Sequence, residues 1–129
     1  MYKIQDTRYI DKIKEFTNLY AWQKGHRLVV FIYSISKKFP EDEKFGVTSQ
    51  LRRASVSITS NIAEGFGRKN GKEKIYFYRI AHGSLIEVKS LVFVLKDTGM
   101  IDLKIFEELY LYISETQALL IGLIKSTKD

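Results

Sequence analysis

Apolar side chains recur every three or four residues along most of this chain, and no stretch alternates with a period of two long enough for a sheet. The pattern is clearest from Thr48 to Gly67 (TSQLRRASVSITSNIAEGFG), where Leu51, Ala54, Ile58 and Ile62 line one face of a helix. Ala54, Ser55, Ser57, Ser60 and Ala63 keep that helix slim enough for close packing on both sides. Helix 2 therefore runs from about Val47 to Phe66, with Gly65 and Gly67 as its left-handed terminators. A first helix spans about Ala21 to Phe39, after an apolar lead-in at Phe16, Leu19 and Trp22, and stops at Pro40. A third opens at Asn70, with Glu73 completing a capping-box pattern. It carries the stripe Phe77, Ala81, Leu85, Val88, Val92 and Leu95, and closes near Thr98 with Gly99 as cap. A fourth is capped by Asp102 and carries Leu103, Phe106, Tyr110, Ile113, Gln117, Leu120 and Ile124.

Connections of a few residues between such helices make neighbours antiparallel. The expected fold is all-α, an antiparallel up-down-up-down four-helix bundle over residues 16–129, preceded by a poorly ordered segment at 1–15. Two stretches carry more apolar surface than one core needs. The first helix is apolar nearly all round at Leu28–Tyr33, and the fourth bears a second line at Leu109, Tyr112, Leu119 and Leu123. A second interface would absorb that surplus, and so would a central position in the monomer.

Composition excludes more than it assigns. The chain has 129 residues, one proline and no cysteine, which removes disulfide and thiolate chemistry and suits a reducing cytoplasm. Its longest apolar run falls far short of a membrane span, and the N-terminus lacks a signal core. The net charge of +6 is unevenly placed. Residues 65–79 hold Arg68, Lys69, Lys72, Lys74 and Arg79 against Glu73, whereas residues 102–129 hold five acids against Lys104, Lys125 and Lys128. A basic corner invites an anionic partner, or the acidic helix of another copy.

The candidate chemistry is sparse. GFGRKNGK at 65–72 is not a phosphate loop, because the glycine six places before the lysine is Phe66 and Glu73 follows it. His26 and His82 have no ligand partners at helical spacing, so no metal is expected, and no Ser-His-Asp or Cys-His grouping points to catalysis. Glu107 and Glu108 complement the dipole of the fourth helix. Arg53, Asn61 and Glu64 share one line along the second helix; they suit a recognition site for a base or phosphate, but are expected rather to form a buried hydrogen-bond network fixing register.

LYAWQKGHRLVV, KKFPEDEKFGVTSQLRRASVSITSNIAEGFGRK and RIAHGSLIEVKSL together resemble the four helix bundle protein family, also called the 23S ribosomal RNA intervening-sequence protein family. The most specific match is Leu51-Arg52-Arg53-Ala54 with Ser60 to Gly65. The resemblance implies an antiparallel bundle that assembles as a homopentamer. It also implies kinship with the basic accessory proteins of diversity-generating retroelements. Thr59 stands where the family commonly has proline, so a kink there is not expected, and Val88-Lys89 replaces leucine–glutamate after Glu87.

The resulting expectation is a non-enzymatic, cytoplasmic homo-oligomer without cofactor or small-molecule substrate, binding RNA or DNA through Arg52, Arg68, Lys69, Lys72, Lys74 and Arg79. Lys37 and Lys38 would extend the surface, and Phe66, Tyr76 and Tyr78 would stack on unpaired bases. The alternative is an adaptor that binds another protein through its surplus apolar faces.

Overall fold

The structure, a computed structural model, describes residues 9, 10 and 12–128. Four long helices form its body: α1 (Tyr20–Ser36), α2 (Val47–Phe66), α3 (Gly71–Asp97) and α4 (Leu103–Ser126). Among the described residues there is no strand. Most of the poorly ordered segment expected at 1–15 lies outside the described residues. Of its described part, Tyr9 stacks on Tyr20 with ring centroids 4.6 Å apart, and Ile10 and Ile13 pack against the core.

The helices are antiparallel neighbours, as their contacts show. Along α2 and α3, Arg53 meets Glu87, Ser57 meets Ser84, and Phe66 meets Lys74. Along α3 and α4, His82 meets Gln117, Lys89 meets Tyr110, and Phe93 meets Phe106. In both series one number rises as the other falls. α1 closes the ring against α2 and α4, with Arg52 bonded to Ser36 at 2.8 Å and Lys24 paired with Glu115 at 3.2 Å. The core between them holds Leu28, Ile32, Leu51, Ile58, Ile62, Leu85, Ile113 and Leu120, all essentially inaccessible to solvent.

The helix ends follow local chemistry. Asn70 Oδ1 accepts the Glu73 amide at 2.9 Å while its side-chain amide donates to the Glu73 carboxylate at 2.9 Å, a variant of the capping box. Asp102 Oδ1 accepts the Ile105 amide at 2.9 Å. Gly99, at φ +78°, lets the Met100 amide reach back to the Leu95 carbonyl at 2.9 Å, which closes α3. α1 stops at Ser36 rather than Phe39, because Pro40 pulls the preceding residues out of α geometry; the Lys38 and Phe39 amides bond three residues back instead.

Three expectations need correction. Gly65 and Gly67 do not adopt left-handed backbone; Gly67 has φ −77°, and Gly65 lies inside the last turn of α2. Gly65 is instead a point of close approach, since a Cβ there would stand 2.7 Å from the Tyr78 ring and 3.1 Å from the Lys74 carbonyl. The second apolar line of α4 is not surplus: Leu109, Leu119 and Leu123 are buried in the monomer, because α4 packs against both α1 and α3 over a broad arc. What remains exposed is Val30 and Tyr33 on α1 and Leu103, Tyr110 and Leu111 on α4. Thirdly, Arg53, Asn61 and Glu64 neither touch one another nor lie buried, as described below. α2 runs unbroken through Thr59, whose hydroxyl donates to the Val56 carbonyl.

Gly83, midway along α3, differs from Gly65 in having open space where its Cβ would be. Replacing it by alanine removes the entropy cost of a helical glycine without a clash. Gly83→Ala is expected to raise stability by about 0.5–1 kcal/mol, measured as an upward shift of the urea midpoint at unchanged slope.

Candidate functional site

An antiparallel bundle gathers distant stretches at each end. The α2–α3 corner, the last turn of α4 and the described N-terminal residues meet at one end; the α1–α2 and α3–α4 connections meet at the other. This decides which cations share a surface.

Lys69 and Lys72 are exposed at the α2–α3 corner. Arg68 and Lys74 are half-buried and tied locally. The Arg68 guanidinium pairs with Glu64 at 2.7 Å and lies over the Phe77 ring at 4.5 Å. The Lys74 ammonium donates to the Phe66 carbonyl at 2.6 Å and sits 5.1 Å from the Phe66 ring centre, and burial lowers its pKa from the ordinary lysine value. Arg79 is exposed two turns further along α3, beside a groove floored by Ile121 and Ile124. Arg52 does not join this group. It sits near the start of α2, about 21 Å from Phe66 at 1.5 Å per residue, where it bonds Ser36 and covers the Tyr33 ring at 4.9 Å. Lys37 and Lys38 are exposed at that same far end.

The local reading of charge missed two members. Lys125 and Lys128 belong to a stretch that is acidic in sequence, yet both are exposed, Lys125 in the last turn of α4 and Lys128 just past it, at the end of the bundle holding the α2–α3 corner. Antiparallel topology, already implied by the short connections, was the signal that could have found them.

The aromatics divide as well. Tyr76 is exposed, its ring perpendicular to that of Phe77 at 5.2 Å, and Phe66 is half-buried. Tyr78 is 1% exposed, so its ring cannot stack on a base, and burial raises the pKa of its hydroxyl well above the ordinary tyrosine value.

The expected Arg53–Asn61–Glu64 network is three separate pairings. Arg53 binds Glu87 across to α3 at 3.2 Å, Asn61 donates to the Ser57 carbonyl at 2.8 Å and hydroxyl at 3.1 Å, and Glu64 holds Arg68. Ser57 in turn meets the Ser84 hydroxyl at 2.8 Å, so the α2–α3 seam has its polar link there. The histidines stay apart: His26 stacks on Trp22 at 4.6 Å, and His82 contacts Gln117 at 3.2 Å. Among the described residues, no group of three or more His, Cys, Asp or Glu could hold a metal ion.

A second surface feature lies at the opposite end. Phe93 meets Phe106 and Tyr110 edge to face and Phe106 tilts against Tyr110, with centroids 5.3–6.2 Å apart, on the surface between α3 and α4. Leu111 extends the patch, and Lys89 and Lys96 lie over its rings.

No curated protein matches the chain. Among solved structures, a crystal structure of a protein with unknown function from the S23 ribosomal protein family of Bacteroides thetaiotaomicron is similar, with a TM-score of 0.75 and 25% sequence identity. The similarity covers 81% of this chain and 98% of that one. Residues 17–122, from the turn before α1 almost to the end of α4, match the family described as 23S rRNA-intervening sequence protein, and the chain belongs to that family.

Proposed function

We propose that this protein is a non-enzymatic, cytoplasmic homo-oligomer, a pentamer, that binds RNA or DNA through the basic end of its bundle. The observation that carries this reading is the set of exposed cations Lys69, Lys72, Lys125 and Lys128, drawn from two distant stretches to one end. Nearby Glu64 and Glu73 are already engaged by Arg68 and Asn70. Phosphate contacts of this kind position a backbone and carry little sequence preference. Repetition around an oligomer turns weak contacts into useful avidity, and the exposed Val30, Tyr33 and Leu111 offer apolar surface for assembly.

The test is binding of a labelled structured RNA across a salt series. Four neutralised phosphates per site give a log–log slope of about −3 to −4. Absence of binding at about 50 mM salt overturns the reading. A second reading, an adaptor for another protein, is favoured by the patch in which exposed Phe93, Tyr110 and Leu111 surround half-buried Phe106, since apolar patches of this kind mark interaction surfaces.

A further inference from the structure

Within the basic end lies a cleft of about 410 Å³. Phe66 and the first turn of α3 form one wall, the last turn of α4 a second, and Ile10 with Ile13 a third. Its volume falls in the range of about 300–1,000 Å³ typical of small-molecule sites. Three lysines, Lys69, Lys74 and Lys128, line it, and among the described residues no acidic residue does.

We propose that this cleft binds a phosphomonoester, with the phosphate among Lys69, Lys74 and Lys128 and the attached organic group against Phe66, Ile10 and Ile13. The proposal takes from the reading above only the source of that group, the terminal phosphate of a nucleic-acid strand; the chemistry stands on the cleft itself.

A monoester near neutral pH is close to doubly charged, whereas an internal diester carries one charge. Three lysines, with no opposing acid among the described residues, are matched to the higher charge. Walls on three sides admit a chain end more readily than a chain running through. Lys74 gives one hydrogen to the Phe66 carbonyl and keeps two for a ligand. The partial burial that costs its ammonium hydration is what an incoming dianion offsets. At the end of α4, which forms the cleft's second wall, the Leu123 carbonyl is taken up by the Ser126 and Thr127 hydroxyls, which both donate to it, at 3.1 and 2.7 Å.

The experiment compares two short single strands of one sequence, with and without a 5′-phosphate, against the full chain, alongside calorimetry with uridine monophosphate and with uridine. The phosphorylated strand is expected to bind about ten-fold tighter, and the monophosphate to compete with it while uridine does not. Lys69→Ala with Lys128→Ala, both at exposed positions, should erase that difference and leave the helical signal unchanged. Equal affinity of the two strands, with no monophosphate binding, overturns the proposal and leaves the nucleic-acid reading standing. Monophosphate binding without strand binding upholds the cleft and makes a free nucleotide its ligand, while the nucleic-acid reading falls. Loss of helicity in the double variant is met by Lys69→Gln with Lys128→Gln, read out in the same way.

Discussion

Gly65→Val is expected to cost about 3 kcal/mol of folding stability and to lower Tm by roughly 10 °C. The Cβ alone would sit 2.7 and 2.9 Å from two carbons of the Tyr78 ring, against a comfortable carbon–carbon separation of about 3.5–4.0 Å. Neither neighbour yields easily. The Tyr78 ring is buried against the core, and the next contact, the Lys74 carbonyl at 3.1 Å, is backbone of α3. Relief requires α3 to move away from α2, or Tyr78 to leave its position. The gain in helix propensity on replacing glycine, at most about 1 kcal/mol, is too small to offset this. Adding Tyr78→Leu to Gly65→Val should recover part of the loss, because the ring that clashes is gone and the two changes are no longer additive. Urea unfolding of Gly65→Val, Tyr78→Leu and the double variant measures the coupling. An unchanged midpoint for Gly65→Val alone would mean that α2 and α3 are not held together at this glycine.

Gly65 also shows where sequence reading stops. A glycine near the end of an apolar helix looks like a terminator, because that is the commonest local use of the residue. Its actual role depends on what faces it thirteen residues later, and no local rule contains that. Where both ends of an element are decided locally, the reading is accurate. α2 runs from Val47 to Phe66 as its periodicity predicts, and Asn70 with Glu73 and Asp102 with Ile105 start α3 and α4 where their caps stand. Burial on α4 was harder. Leu109, Leu119 and Leu123 looked surplus because the core was counted as one stripe, but a helix touching two neighbours buries a wider arc. The basic site was legible in kind and only partly in membership. Lys69 and Lys72 are free at the corner, while Arg68 and Lys74 are drawn to Glu64 and the Phe66 carbonyl by rotamers that spacing does not determine. Arg52 shares the sign of charge but not the end of the bundle.

That division yields the last large effect. Replacing Lys69, Lys72, Lys125 and Lys128 together by alanine is expected to weaken RNA binding by roughly 100-fold or more at about 100 mM salt, and to flatten the log–log salt slope by about three units. All four side chains are exposed, so the change removes charge and almost no packing, and thermal unfolding should be nearly unaffected. Two comparisons separate this from a general loss of positive charge. Arg52→Ala with Lys37→Ala and Lys38→Ala removes three cations at the far end, and affinity should change by less than about two-fold because exposed charges beyond a Debye length of about 10 Å are screened. Arg68→Ala acts through structure instead, since it frees Glu64 to present an unpaired carboxylate beside the bound phosphates. It should therefore weaken binding more than a single exposed lysine does. If the quadruple variant binds as well as the parent, the exposed end is not where phosphate is met. The aromatic patch around Phe93, Phe106 and Tyr110 then becomes the surface to alter next.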